Sequence, residues 1–228
     1  MRIETRAGPG RNEIIAKTLV INEIFLSIQG ETSKTGLPTV FIRLTGCPLR
    51  CNYCDTTYAF SAGNKMTIGE ILQSVGQYRT MHVTVTGGEP LAQKDCQHLL
   101  NMLCDEGYQV SLETSGAVDV AGVEDRVIKI LDIKTPASGE ADRNRYENIQ
   151  HLTSSDQVKF VICNRVDYEW SKNKLVEYRL NDRCEVLFSG SHDQLAARAL
   201  AEWILEDRLP VRLQIQLHKY LWGDIPGR

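Results

Sequence analysis

The chain has 228 residues, 42% of them hydrophobic and 24% charged, with 26 basic against 29 acidic side chains and a formal net charge of −3. That length supports one domain with a substantial core, and the charge balance argues against nucleic-acid binding through a broad basic face. No run approaches the roughly 18 apolar residues of a membrane span, and no apolar h-region follows Met1, so no membrane segment and no secretion signal are expected.

Residues 1–18 are expected to form a poorly ordered extension ahead of a single domain over 19–228. From there, β-branched apolar runs alternate with helical patterns. Strands are predicted over Leu19–Ile28, Thr39–Thr45, His82–Thr86, Gln109–Glu113, Val127–Ile133, Gln157–Ile162, Glu185–Phe188 and Val211–Leu217. Helices are predicted over Thr67–Tyr78, Leu91–Glu106, Asp167–Leu180 and Gln194–Asp207, with a less regular one over Asn144–His151. Thr67 and Glu70 can form a capping box, and Gly107 suits the left-handed residue that closes a helix. Such alternation implies parallel strands with right-handed crossovers, hence an α/β fold. Polar motifs at the C-terminal ends of several strands favour a partial, open TIM-like (β/α) barrel over a doubly wound sheet.

The densest chemistry is Gly46-Cys47-Pro48-Leu49-Arg50-Cys51-Asn52-Tyr53-Cys54-Asp55-Thr56. Three thiolates at this spacing can surround one metal centre. A structural zinc site normally takes four ligands, whereas three leave one iron of a [4Fe–4S] cube open to a small molecule. On spacing alone, zinc completed by Cys96 or His82 stays open as an alternative. Cys96, Cys104, Cys163 and Cys184 sit in apolar surroundings and read as buried small hydrophobes of a reducing cytoplasm. Downstream, Thr84-Val85-Thr86-Gly87-Gly88-Glu89-Pro90 follows a predicted strand. Its glycines allow close backbone approach to a ligand, and Glu89 offers an acceptor.

The cysteine spacing, with Tyr53 before the last thiol, resembles the signature of the radical S-adenosylmethionine (SAM) superfamily. The resemblance implies a [4Fe–4S] cluster on Cys47, Cys51 and Cys54, with SAM at the open iron. Tyr53, Cys54, Asp55, Gly88, Glu89, Asp132, Ile133 and Lys134 then match SAM-contacting positions, Glu89 being expected to meet the methionyl amine. Three further stretches resemble the 7-carboxy-7-deazaguanine synthase family within that superfamily: the strand and turn Asn22 to Glu31, Arg43, and Cys54-Asp55-Thr56. That resemblance runs from about Ile21 to Gly223. It implies conversion of 6-carboxy-5,6,7,8-tetrahydropterin to 7-carboxy-7-deazaguanine with loss of ammonia, in queuosine biosynthesis. Ile28, Gln29, Gly30, Arg43, Thr86, Glu113 and His218 match substrate-contacting positions, and Thr56 matches a Mg²⁺ ligand. A flavodoxin- or ferredoxin-type electron donor and a homodimer are implied as well.

The sequence departs from several relatives in three places. Asp132-Ile133-Lys134 stands where they carry Ser-Pro-Lys, and Ser189-Gly190-Ser191 replaces a Gln-Pro loop. The chain also continues through Asp224 to Arg228 where some relatives end, so Asp224 is a candidate stand-in for a terminal carboxylate. A guanidinium such as Arg43 suits a substrate carboxylate, and an ion pair with an acidic side chain is the alternative. In the last predicted strand, Gln214, Gln216 and His218 would share one face. A glycyl-radical-enzyme activase shares the cysteine spacing, but needs neither the Ser27–Glu31 stretch nor Thr56.

Overall fold

The computed structural model describes residues 10–223, 225 and 227. A nine-stranded sheet runs in the order β3-β1-β2-β4-β5-β6-β7-β8-β9. Its strands are β1 (Thr18–Ile28), β2 (Pro38–Leu44), β3 (Asn64–Thr67), β4 (His82–Gly87), β5 (Gln109–Thr114), β6 (Ile128–Asp132), β7 (Gln157–Ile162), β8 (Glu185–Gly190) and β9 (Arg212–Gln214). From β2 through β9 the pairings are parallel, and the terminal strands β3 and β9 are not joined to each other. The result is the open, partial barrel that the polar motifs at the strand ends favoured.

Apolar residues at every second position build the outer layer of the core. Val40, Ile42 and Leu44 of β2, with Val83 and Val85 of β4, are buried against helices. Phe41 and Arg43, and Thr86 of β4, face the interior cavity. The covering helices are α2 (Ile68–Gly76), α3 (Cys96–Asp105), α4 (Arg165–Glu177) and α5 (Ala197–Asp207). Thr67 and Glu70 form the expected capping box on α2, which buries Ile68, Ile71 and Val75. Beyond α3, Gly107 takes φ +88 and returns the chain to β5.

Four expectations are corrected. The strands are not all parallel, because β1 runs antiparallel to both β2 and β3. Residues 1–9 of the expected extension lie outside the described residues, but α1 (Arg11–Ile15) is helical, packs Ile14 and Ile15 on the core, and leads into β1 at Thr18. The predicted helix over Leu91–Glu106 begins with a 3₁₀ turn at Pro90–Ala92, and α3 itself starts at Cys96. The last predicted strand stops at Gln214, and Leu217–Trp222 forms a short helix, α6. Leu217 N–H there donates to Gly30 O at 3.2 Å, which bends the chain away from the sheet.

Candidate active site

A cavity of about 330 Å³ occupies the barrel interior. The loop after β2 brings Cys47, Cys51 and Cys54 to its wall. Gly46, at φ +97, turns the chain there, and its N–H donates to Ala59 O at 2.9 Å. Asn52 fastens the loop elsewhere, its N–H donating to Ser138 O at 2.9 Å and its Nδ2 to Ala137 O at 3.0 Å. Burial pushes the Cys51 thiol up to about 11 and raises Cys47 too, so metal binding has to displace their protons. None of the other four cysteines lines the cavity. His82 lies at the start of β4, at the opposite end of the strand from the cysteine loop, and Cys96 is buried in the outer core. Neither is placed to complete a zinc site.

The loop after β4 packs directly on the cysteine loop. Gly88 N–H donates to Leu44 O at 3.2 Å and Glu89 N–H to Gly46 O at 2.8 Å. A Cβ on Gly88 would collide with Gly46 O and lie 2.7 Å from Cys47 Cβ. Gly87 and Gly88 line the cavity. Glu89 follows the glycine pair. It is fully buried, and its carboxylate accepts from Leu91 N–H, Thr114 Oγ1, Ser115 N–H and Ser115 Oγ, all between 2.5 and 3.0 Å. Three of those donors fall on Oε2 and one on Oε1. Glu89 therefore ties the β4 loop to the end of β5.

Charged side chains line the β6 and β7 side. Asp132 Oδ2 lies 3.0 Å from Lys134 Nζ and 3.6 Å from Lys159 Nζ, which also meets Glu31 Oε2 at 2.9 Å. Burial alone would raise the Glu31 carboxyl, but Lys159, His218 and the Gln216 amide outweigh it and hold the group at about 2. Burial dominates at Glu113 and raises its carboxyl despite Lys159 nearby. Asp132 Oδ1 and the Tyr53 hydroxyl are buried without a hydrogen-bond partner among the described residues, and both residues line the cavity. The Ile133 side chain alternates away from the wall into the core.

Because β1 is reversed, Ile28 sits beside Pro38 at the start of β2. Gln29, Gly30 and Glu31 thus enter the cavity from the end opposite the cysteine loop. The Gln29 amide is held on both sides: Nε2 donates to Thr84 Oγ1 at 3.2 Å and Glu113 Oε1 at 3.5 Å, and Oε1 accepts from Glu31 N–H at 2.9 Å. Thr84 Oγ1 also bonds Ser111 Oγ at 2.8 Å, and Thr86 Oγ1 donates to Glu113 Oε2 at 3.1 Å. Gln29 therefore orients Glu113 while itself lining the cavity.

Arg43 Nε donates to Glu23 Oε1 at 2.6 Å, and the Tyr58 hydroxyl donates to the same oxygen at 2.9 Å. The alternative ion pair thus exists, while Arg43 still faces the cavity. Thr56 Oγ1 donates to Asp55 Oδ1 at 2.8 Å. Glu31, Asp55 and His218 bring one possible metal-ligand atom each within 4.8 Å of one another. Gln216 Nε2 reaches Glu31 at 3.0 Å and Asp55 at 3.3 Å. Gln216 and His218 reach the cavity from the cap and first turn of α6 rather than from a strand. Asp224 lies outside the described residues.

The structure gathers Ile28, Gly30, Arg43, Thr86, Glu113, His218, Thr56, Tyr53, Asp55 and Lys134 around the same cavity. Sequence reasoning missed Lys159, Glu23 and Tyr58. Lys129 and Lys159 look alike in the sequence, each interrupting an apolar strand. Lys129, however, pairs with the buried Asp156 at 3.1 Å, while Lys159 faces the cavity.

An open α/β barrel with three cysteines on the loop after β2, beside a glycine pair after β4, defines a radical SAM enzyme. The Radical SAM superfamily model matches residues 41–136. A 7-carboxy-7-deazaguanine synthase from Chlorobaculum tepidum is 45% identical over 208 residues, spanning 90% of this chain and 94% of the relative. One from Koribacter versatilis is 42% identical over 217 residues, spanning 89% and 96%. The chain belongs to the 7-carboxy-7-deazaguanine synthase family. The crystal structure of QueE from Escherichia coli is similar in fold, with a TM-score of 0.73 at 23% identity, covering 87% of this chain and 94% of that one. Among the described residues no helix is long and apolar enough to cross a membrane.

Proposed function

We propose that this chain converts 6-carboxy-5,6,7,8-tetrahydropterin to 7-carboxy-7-deazaguanine with loss of ammonia, on the route to queuosine. One observation carries the reading: the three cysteines share a cavity with Arg43, Thr86 and Glu113. Three thiolates without a fourth suit a [4Fe–4S] cluster with an open iron. The partnerless Asp132 Oδ1 and Tyr53 hydroxyl suit the hydroxyl and amine groups of SAM. When bound, cluster and SAM together supply an electron and a carbon radical able to abstract hydrogen.

The protein's own residues position and shield. Tyr53, Cys54, Asp55, Gly88, Asp132 and Lys134 line the SAM side. Arg43 grips the substrate carboxylate, and Glu113, held by Gln29 and Thr86, meets the aminopyrimidine edge. Ile28, Gly30 and His218 close around the substrate. Thr56, with the Asp55 carboxylate beside it, offers hard oxygens suited to Mg²⁺. The enzyme works in a reducing cytoplasm as a homodimer and takes its electron from a flavodoxin- or ferredoxin-type carrier.

The test is anaerobic reconstitution followed by incubation with carboxytetrahydropterin, SAM, Mg²⁺ and reductant. Expected products are 7-carboxy-7-deazaguanine and ammonia, both absent in Cys47→Ala, Cys51→Ala and Cys54→Ala. A protein carrying its full complement of iron and sulfide that makes no deazaguanine would refute the reading.

A further inference from the structure

The pairing of β1 with β2 contains an irregularity at Asn22. Ile21 lies opposite Leu44, whereas Glu23 lies opposite Arg43, so two steps in β1 match one step in β2. Ile21 and Leu44 are both buried in the outer core. Without the extra residue, alternation would keep Glu23 on the same face as Ile21, against the helices. The bulge moves Glu23 to the face of Arg43 and leaves Ile24 opposite Ile42 on the core side. Asn22 itself turns out of the ladder, its Nδ2 donating to Ala62 O at 3.0 Å.

The consequence falls on Arg43. Among the described residues its guanidinium has one hydrogen-bond acceptor, Glu23 Oε1, reached through Nε. Both Nη groups are left without an acceptor there. Phe25 and Tyr58 flank the guanidinium, each ring centroid 5.8 Å from Cζ, and Tyr58 also fixes Glu23 through the shared oxygen. A guanidinium presents five N–H donors in a planar fork, and its paired Nη groups match the two oxygens of a carboxylate.

We propose that Glu23 is a positioning residue for substrate selection: by taking Nε of Arg43 it aims the two Nη groups at a ligand carboxylate in the cavity. This rests on the reading of Arg43 given above. The Glu23–Arg43 pair is close to neutral, so the receptor selects its ligand by directed N–H bonds more than by net charge. Glu23, Tyr58 and the bulge at Asn22 together act as a filter for carboxylated pterins.

The experiment compares binding of carboxytetrahydropterin with binding of the same pterin lacking the carboxylate, measured calorimetrically under anaerobic conditions on holoenzyme with SAM bound. Glu23→Ala should lower the preference for the carboxylated ligand about tenfold to a hundredfold, with iron content and SAM affinity retained. Glu23→Gln keeps an oxygen for Nε and should keep most of the preference. Tyr58→Phe, a milder change if Glu23→Ala folds poorly, should lower it about threefold to tenfold. An unchanged preference in both Glu23→Ala and Tyr58→Phe overturns the inference, as does equal weakening of both ligands. Arg43→Ala separates the two layers. If it too leaves the preference unchanged, the carboxylate role of Arg43 fails; if it abolishes the preference while Glu23→Ala does not, only the role of Glu23 fails.

Discussion

A Cβ placed on Gly30 would lie 2.7 Å from His218 Nδ1 and 3.0 Å from the His218 backbone nitrogen. This glycine is required for space and not for an unusual backbone angle, since its φ is not positive. Its carbonyl also accepts from Leu217 N–H at 3.2 Å and Gln214 Nε2 at 3.0 Å, so the turn after β1 holds the start of α6.

Gly30→Ala should therefore displace α6 from the cavity. Overpacking of this kind costs about 1–3 kcal/mol. Faster limited proteolysis between Gln216 and Gly223 and a weakened substrate KM are expected, with the cluster intact. Native cleavage rates would show that α6 is held by other contacts.

Gly88→Ala should act on the metal centre from a different strand. The added methyl collides with Gly46 O and Cys47 Cβ, and both belong to the cluster loop. The expected result is a loss of most iron and sulfide on reconstitution, read by iron assay and by the visible absorption of the cluster. Full loading would mean that the two loops pack less tightly than described.

Thr84→Val removes the acceptor that fixes Gln29 Nε2 and breaks the bond to Ser111. Glu113 then loses part of its orientation. Substrate KM should rise about threefold to tenfold while SAM affinity stays native. An equal effect on both ligands would point to a general loss of structure.

Glu31 makes acid stability testable. Its carboxyl is held near 2 in the folded protein against an ordinary 4.5. A depressed carboxyl contributes stability above the unfolded value, and that contribution disappears as pH falls from about 4.5 toward 2. Glu31→Gln, compared with the native chain in cluster-free form, should be less stable by ~2 kcal/mol at pH 7, with the difference shrinking below pH 4.5. Parallel curves of thermal midpoint against pH would refute this.

Much of the fold was legible because period-two apolar runs and helix caps are local signals. Val40, Ile42 and Leu44 announced β2, and Thr67 with Glu70 announced α2. The reversed direction of β1 was not legible, since its apolar pattern is the same whichever way its neighbour runs. The bulge at Asn22 was hidden because nothing local marks an extra residue. Gln216 and His218 do reach the cavity, yet by a turn into α6 that alternation could not foresee. Glu89 shows the same limit: its motif marks the loop, but only the positions of Thr114 and Ser115 reveal where the carboxylate goes.

The reversal of β1 divides labour between the two ends of the barrel. Cofactor-facing loops spring from the ends of β2, β4 and β6, whereas residues 28–31 arrive from the other pole on a strand that none of those loops interrupts. Ligand preference can drift through changes in that one hairpin, while the machinery that generates radicals stays as it is.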